Sequence, residues 1–277
     1  MIESLCVSLT SFQRNLLLKQ LQGNDLMPYF NFENHKIHYI EAGVKNENAI
    51  IFLPGNTASS MGHINDLEKY SEKYHVISID FLGTGKSDRV SEWTSTWFEN
   101  SARQIAELKK HLKLEKTILV GVSGGGIIGL MCAMFYPEMF IGVVADSCMD
   151  KLTETDYKNK IVYDRILKTE DQVNFWKFMQ GEDWEKIVYS DTKMLSHYTA
   201  KEDIFDGNLS EIKCEVLLTF AKNDTSLTDL FDIVKRMGTE IHKSSIHVEN
   251  NGSHPLIWTN PEIFYNLLND FIERIFK

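Results

Sequence analysis

ILVGVSGGG, residues 118–126, decides how the rest of the 277-residue chain is read. It begins inside a short apolar run, KTILVG (116–121), of the kind that forms a strand buried on both faces of a parallel sheet. It leads into GGIIGLMCAMFY (125–136), apolar enough for a central buried helix. Between them sits Gly121-Val122-Ser123-Gly124-Gly125, a G-x-S-x-G pattern. A serine on such a strand-to-helix turn is held in a strained, exposed position. The flanking glycines are needed because a Cβ there would collide with neighbouring backbone. The helix N-terminus also offers N–H groups to a developing oxyanion. The pentapeptide alone is a weak signal; its place between strand and helix marks Ser123 as a candidate nucleophile.

Working outward, the same kind of apolar run recurs at 49–55 (AIIFLPG), 75–80 (HVISID), 141–146 (IGVVAD), 214–220 (CEVLLTF) and 244–250 (SSIHVEN), after short strands near 29–32 and 36–41. Helical patterns fill the gaps at 64–73, 95–112, 125–136, 228–237 and 261–276, the last opening with Pro261 just inside its start. Strand–helix alternation predicts an α/β fold, a doubly wound and mostly parallel sheet flanked by helices. The alternation breaks between 150 and 210, a charged stretch carrying Tyr157, Tyr163, Phe175, Trp176, Phe178, Trp184, Tyr189 and Tyr198. That stretch reads as a helical cap, 150–210, inserted into a core made of 29–149 and 211–277. Residues 1–28 read as an N-terminal helical extension, with an amphipathic helix at 10–22.

Composition limits the function classes. The formal net charge of −10 argues against a general nucleic-acid binder, which wants a basic face. Cys6, Cys132, Cys148 and Cys214 are far apart and form no C-x-x-C pair, so a zinc or redox motif is unsupported. Reduced thiols and an N-terminus without a basic leader fit a cytoplasmic protein. No apolar run approaches the ~20 residues of a membrane span. The expected partner is a small-molecule substrate.

A second stretch, DFLGTGKSD (80–88), tempts with a nucleotide-binding ending, Gly85-Lys86-Ser87. A phosphate-binding loop needs glycine five residues before Gly85 so that backbone N–H groups curl around phosphate oxygens. That position holds Asp80, a carboxylate, and the residues after Ser87 lack apolar helical spacing. Asp80 is expected to end a strand, the two glycines to turn the chain sharply, and Ser87 to bond local backbone.

A serine nucleophile needs a base, and the base an orienting acid. Past CEVLLTF comes Ala221-Lys222-Asn223-Asp224; past SSIHVEN comes Asn251-Gly252-Ser253-His254-Pro255. Both follow a strand end, in the order Ser, acid, His. Of the other histidines, His38 and His247 lie within strands, and His63, His75, His111, His197 and His242 show no partner pattern. With these residues in hand the chain, over roughly 30–276, resembles the α/β-hydrolase superfamily. The resemblance implies Ser123 as nucleophile, Asp224 as acid and His254 as base. It implies an oxyanion hole from the backbone N–H of Gly124 and of Asn56, in the loop LPGNTAS (53–59). The family's D-x-x-G-x-G-x-S stretch matches at Asp80, Gly83, Gly85 and Ser87. Two departures stand out: Pro54-Gly55 where the family often has His-Gly, and Ala221 where it often has Gly. Asp146 and Asp150 rival Asp224, because some members place the acid after that earlier strand. Cys148 lies near the same strand end and either lines the site or is simply buried.

The expected activity is hydrolysis of a small to medium, largely apolar carboxylic ester through an acyl-enzyme, with no metal or organic cofactor implied. The same fold also serves carbon–carbon bond hydrolases, lactonases, thioesterases, acyltransferases and cofactor-free haloperoxidases. A different class, a ligand sensor that keeps the triad and acts through a protein partner, is separated from these by turnover.

Overall fold

The structure is a computed structural model describing residues 28–277. Of the expected N-terminal helical extension, 1–28, residues 1–27 lie outside the described residues, Cys6 among them.

Eight strands form one sheet: β1 (Tyr29–Phe32), β2 (His35–Ala42), β3 (Ala49–Leu53), β4 (His75–Ile79), β5 (Thr117–Val122), β6 (Gly142–Asp146), β7 (Glu215–Ala221) and β8 (Ser244–Glu249). Their spatial order is β1-β2-β4-β3-β5-β6-β7-β8. The first two pair antiparallel with their neighbours; β4, β3 and β5 to β8 run parallel. Every residue of β3, β4, β5 and β6 is buried, as expected of runs covered on both faces. Within those runs the period of two persists. Ile51, Leu53, Ile77 and Leu119 join the helices Trp97–His111 and Gly124–Phe135 in one apolar layer. Ile50, Phe52, Val76 and Ile118 face the helices Ile64–Tyr70 and Pro261–Ile275 in the other. β8 differs from the expectation of two buried faces. It is an edge strand, and Ile246 and Val248 are exposed.

Between β6 and β7 the chain is helical, with no strand. Three short turns of helix, Glu154–Asp156, Tyr157–Val162 (π-helical) and Tyr163–Leu167, bury no residue. Two longer helices follow, Glu170–Gln180 and Trp184–Tyr198. Thr169 starts the first with a capping box, its hydroxyl accepting from Gln172 N–H while Gln172 Oε1 accepts from Thr169 N–H. Trp176 and Trp184 stack with centroids 5.4 Å apart and pack with Val188 as a small core. The two ends of this insert are tied together, Ile204 N–H donating to the Asp150 carbonyl at 2.7 Å. Gln180 docks it on the sheet: its Nε2 donates to the Thr57 and Ala58 carbonyls, both at 2.9 Å, and its Oε1 accepts from Gly85 N–H at 2.7 Å.

That last bond explains residues 80–88. Asp80 follows β4, and its buried carboxylate accepts from Ser60 N–H (2.7 Å) and Lys86 N–H (2.8 Å) and meets His38 Nδ1 at 2.7 Å. The backbone N–H groups that a phosphate would need are therefore spent on Asp80 and Gln180. A Cβ on Gly85, where φ is +50°, would stand 2.2 Å from the Asp80 carboxylate. Ser87 Oγ donates to the Asp80 carbonyl at 2.5 Å and accepts from His38 N–H at 2.9 Å.

Burial alone would raise the Asp80 carboxyl. The hydrogen bond and charge of His38, with the N–H groups of Lys86 and Ser60, outweigh it and hold the group below its ordinary value. A depressed folded value means that the stabilisation is complete above the unfolded value, ~3.9, and is lost as pH falls through the folded one. We predict that Asp80→Ala costs about 3–5 kcal/mol at pH 7, the scale of a broken buried pair, and flattens the acid limb of the stability curve. Urea unfolding from pH 7 to pH 3 checks this; a variant as stable as the parent, with the same acid limb, contradicts it.

Candidate active site

Ser123 stands between β5 and the helix Gly124–Phe135 with φ 53° and ψ −118°, a strained backbone for a residue with a side chain. Its N–H is tied to the Asp146 carbonyl at 2.7 Å. The neighbouring glycines are forced by backbone contacts. A Cβ on Gly121 would lie 2.1 Å from the Gly125 carbonyl oxygen, and one on Gly125 would lie 2.1 Å from that of Leu53.

The loop after β8 carries His254 to Ser123. His254 Nε2 is 3.0 Å from Ser123 Oγ, and its Nδ1 is 2.8 Å from Asp224 Oδ2. The Asp224 side chain is fully buried, and its Oδ1 accepts from Ser226 N–H at 2.8 Å. One carboxylate oxygen is thus held by the turn after β7 while the other faces the imidazole. The sequence brought these three residues together only by their order; the fold brings them within hydrogen-bond reach.

The rival acids have other partners. Asp150 receives two bonds from Arg236, at 2.6 and 2.8 Å. Asp146 accepts from Thr219 Oγ1 (2.7 Å) and from Ile257 N–H (3.0 Å), while Ser147 Oγ accepts from Leu256 N–H (3.1 Å). The end of β6 therefore holds the backbone just after His254. Burial pushes the Asp146 carboxyl up to about 6, against the lowering effect of Ile257 N–H, the Thr219 hydroxyl and the His254 charge.

Asn56 lies in the turn after β3, beside the elbow. Among the described residues neither its N–H nor that of Gly124 has an acceptor. Both residues line a cavity of about 220 Å³ that also holds Ser123 and His254. Phe98, Ile127, Leu152 and Leu195 give this cavity apolar walls, and Lys160, Asp164 and Arg165 from the insert give it a polar rim. Cys148 lines it as well as being buried. Burial, with the charges of Asp146 and Asp150, pushes its thiol well up, so it stays protonated.

Several features escaped the sequence reading. Of the eight aromatics named above in the insert, Tyr198 lines the cavity, whereas Tyr163, Phe178 and Tyr189 are exposed. His63 and His75 do have partners, Asp66 at 2.8 Å and Glu41 at 2.7 Å. The His63–Asp66 pair sits three residues apart and was open to detection; Glu41 lies on a different strand and was not. Among the described residues no cluster of His, Cys, Asp and Glu is placed to hold a metal ion, and no helix is long and apolar enough to cross a membrane.

A family model for the alpha/beta hydrolase fold matches residues 48–176. The chain is similar to human serine hydrolase BPHL, 26% identical over 259 residues, with 86% of this chain and 83% of the relative covered. It is also similar to a 2-hydroxy-6-oxononadienedioate/2-hydroxy-6-oxononatrienedioate hydrolase of Burkholderia vietnamiensis, 24% identical over 276 residues, covering 86% and 91%. Among solved structures, a serine hydrolase involved in carbazole degradation superposes with a TM-score of 0.72 at 20% identity, covering 89% of this chain and 98% of that one. With the sheet order and the strand–serine–helix turn described above, these matches carry one conclusion: the chain has the α/β-hydrolase fold, and residues 48–176 match that family.

Proposed function

We propose that the protein is a serine hydrolase cleaving a small carboxylic ester through an acyl-enzyme. The observation that carries this reading is the unbroken chain Asp224–His254–Ser123, at 2.8 and 3.0 Å, opening on the cavity. Ser123 Oγ attacks the ester carbonyl while His254 Nε2 takes its proton. Asp224 holds the imidazole tautomer and stabilises the charged ring. The oxyanion accepts from the N–H groups of Asn56 and Gly124; one such donor contributes about 3–4 kcal/mol in a preorganised hole. His254 then protonates the leaving alkoxide. In the second half-reaction His254 takes a proton from the water that attacks the acyl carbonyl, then returns it to Ser123 Oγ as the bond to that oxygen breaks and the acid leaves.

A cavity of about 220 Å³ is smaller than the ~300–1,000 Å³ of drug-sized ligand sites. Its apolar walls favour a short acyl group of a few carbons. In this reading residues 150–210 act as a cap that closes the cavity over Ser123, on a core of 29–149 and 211–277.

Lys160 at the rim supports a second reading, in which the acyl chain ends in a carboxylate. The Burkholderia relative is named for a dioate substrate. On this reading the reaction is cleavage of a carbon–carbon bond in a keto acid.

One experiment separates these readings. A fluorophosphonate probe is expected to label wild-type protein and leave Ser123→Ala unlabelled. A panel of p-nitrophenyl esters of graded acyl length, with half-esters of dicarboxylic acids, then ranks substrates by kcat/KM. A maximum at short neutral chains supports the esterase; a maximum at half-esters supports the second reading. Tight binding without multiple turnover points to a ligand sensor. Absence of labelling in folded protein removes Ser123 as nucleophile.

A further inference from the structure

Asp191, in the helix Trp184–Tyr198, is fully buried and has no part in the chemistry proposed above. Its Oδ1 accepts from Asn56 Nδ2 at 2.7 Å, and its Oδ2 accepts from an Arg165 terminal nitrogen at 2.6 Å. The other terminal nitrogen of Arg165 donates to Thr192 Oγ1 at 2.6 Å. A buried carboxylate is costly unless fully partnered, and this one takes one partner from each side of the boundary between insert and sheet.

The other side of Asn56 is fixed by contact. A Cβ built on Gly124 would stand 2.1 Å from Asn56 Oδ1. The Asn56 carboxamide is thus wedged between the Gly124 backbone and the Asp191 carboxylate. Asn56 and Gly124 supply the two oxyanion donors of the proposed mechanism. The next residues, Thr57 and Ala58, are held separately by Gln180. Asn56 is therefore anchored to the insert through Asp191.

We propose that Asp191 is a positioning residue: by holding the Asn56 carboxamide against Gly124 it sets the spacing of the two oxyanion N–H groups, so the hole is complete only when the insert is docked. This rests on the reading of Asn56 and Gly124 as oxyanion donors. The helix Trp184–Tyr198 then contributes to chemistry as well as to the shape of the cavity.

The test uses the full chain in four variants: Asp191→Ala, Asp191→Asn, Asn56→Ala and the double variant Asn56→Ala/Asp191→Ala. Active sites are counted by fluorophosphonate stoichiometry, and kcat and KM are measured on the best ester of the panel. Asp191→Ala is expected to lower kcat per labelled site about 10- to 100-fold, the cost of misplacing a donor, and to change KM far less. Asn56→Ala keeps its backbone N–H but loses the anchored carboxamide, so it should match that loss. The double variant should fall no further than either single one, because both break the same link. Asp191→Asn keeps an acceptor for Asn56 Nδ2 and should retain most of kcat. An unchanged kcat in fully labelled Asp191→Ala, or multiplying losses in the double variant, overturns the proposal. If Asp191→Ala does not fold, an unchanged kcat in Asn56→Ala overturns it equally. Failure of the wild type to label would instead sink the underlying nucleophile reading.

Discussion

Ser123→Ala and His254→Ala are each expected to lower ester kcat on the order of a million-fold, with the fold intact. Nucleophile and base act as one unit, so losing either costs about as much as losing both. The geometry gives the reason. His254 Nε2 lies 3.0 Å from Ser123 Oγ, and the backbone after the histidine is held separately, Leu256 and Ile257 N–H donating to Ser147 and Asp146. Removing the ring leaves those anchors in place and Ser123 without a base. The measurement is the p-nitrophenol burst and steady-state rate of purified variants, with circular dichroism to establish folding. Residual turnover well above the buffer rate in folded His254→Ala would mean that another base serves Ser123.

The second large effect falls on the acid. Asp224→Asn preserves shape but presents an N–H or a neutral oxygen to the imidazole, favouring the wrong tautomer, and should lower kcat about ten-thousand-fold. Asp146→Asn and Asp150→Asn are the decisive controls. Asp150 is satisfied by Arg236, so its loss should act on stability before turnover. Asp146 supports the backbone after His254 through Ile257, so its replacement should loosen the loop and lower kcat far less than Asp224→Asn. If Asp146→Asn matched Asp224→Asn, the acid of the unit would be Asp146.

How much of this was legible in the sequence follows from the range of each interaction. β3 to β6 announced themselves because a strand covered on both faces must be apolar throughout. The turn at Ser123 announced itself because only glycine tolerates the close backbone approaches at 121 and 125. Asp80 could be read as a misfit to a phosphate loop, since the mismatch lies within a few residues. The contacts of the insert could not be read this way. Asp191 and Asn56 are 135 residues apart, and nothing near Asp191 distinguishes it from a solvated carboxylate on a helix face. Aromatic residues drew notice there, yet much of the cavity's polar rim is charged. β8 misled for a related reason: its apolar residues fit a buried run, and only the sheet order reveals that it lies at an edge.

The tie between Ile204 N–H and the Asp150 carbonyl has an evolutionary consequence. Chain inserted between two points already in contact adds little loop-closure cost to the scaffold, whatever its length. Substrate range can therefore diversify by rewriting the stretch between those residues, while the reacting groups, all outside it, stay put. The exception is the carboxylate at 191. Any replacement for that stretch must bring its own acceptor for Asn56, so the freedom to exchange inserts is bounded by one hydrogen bond.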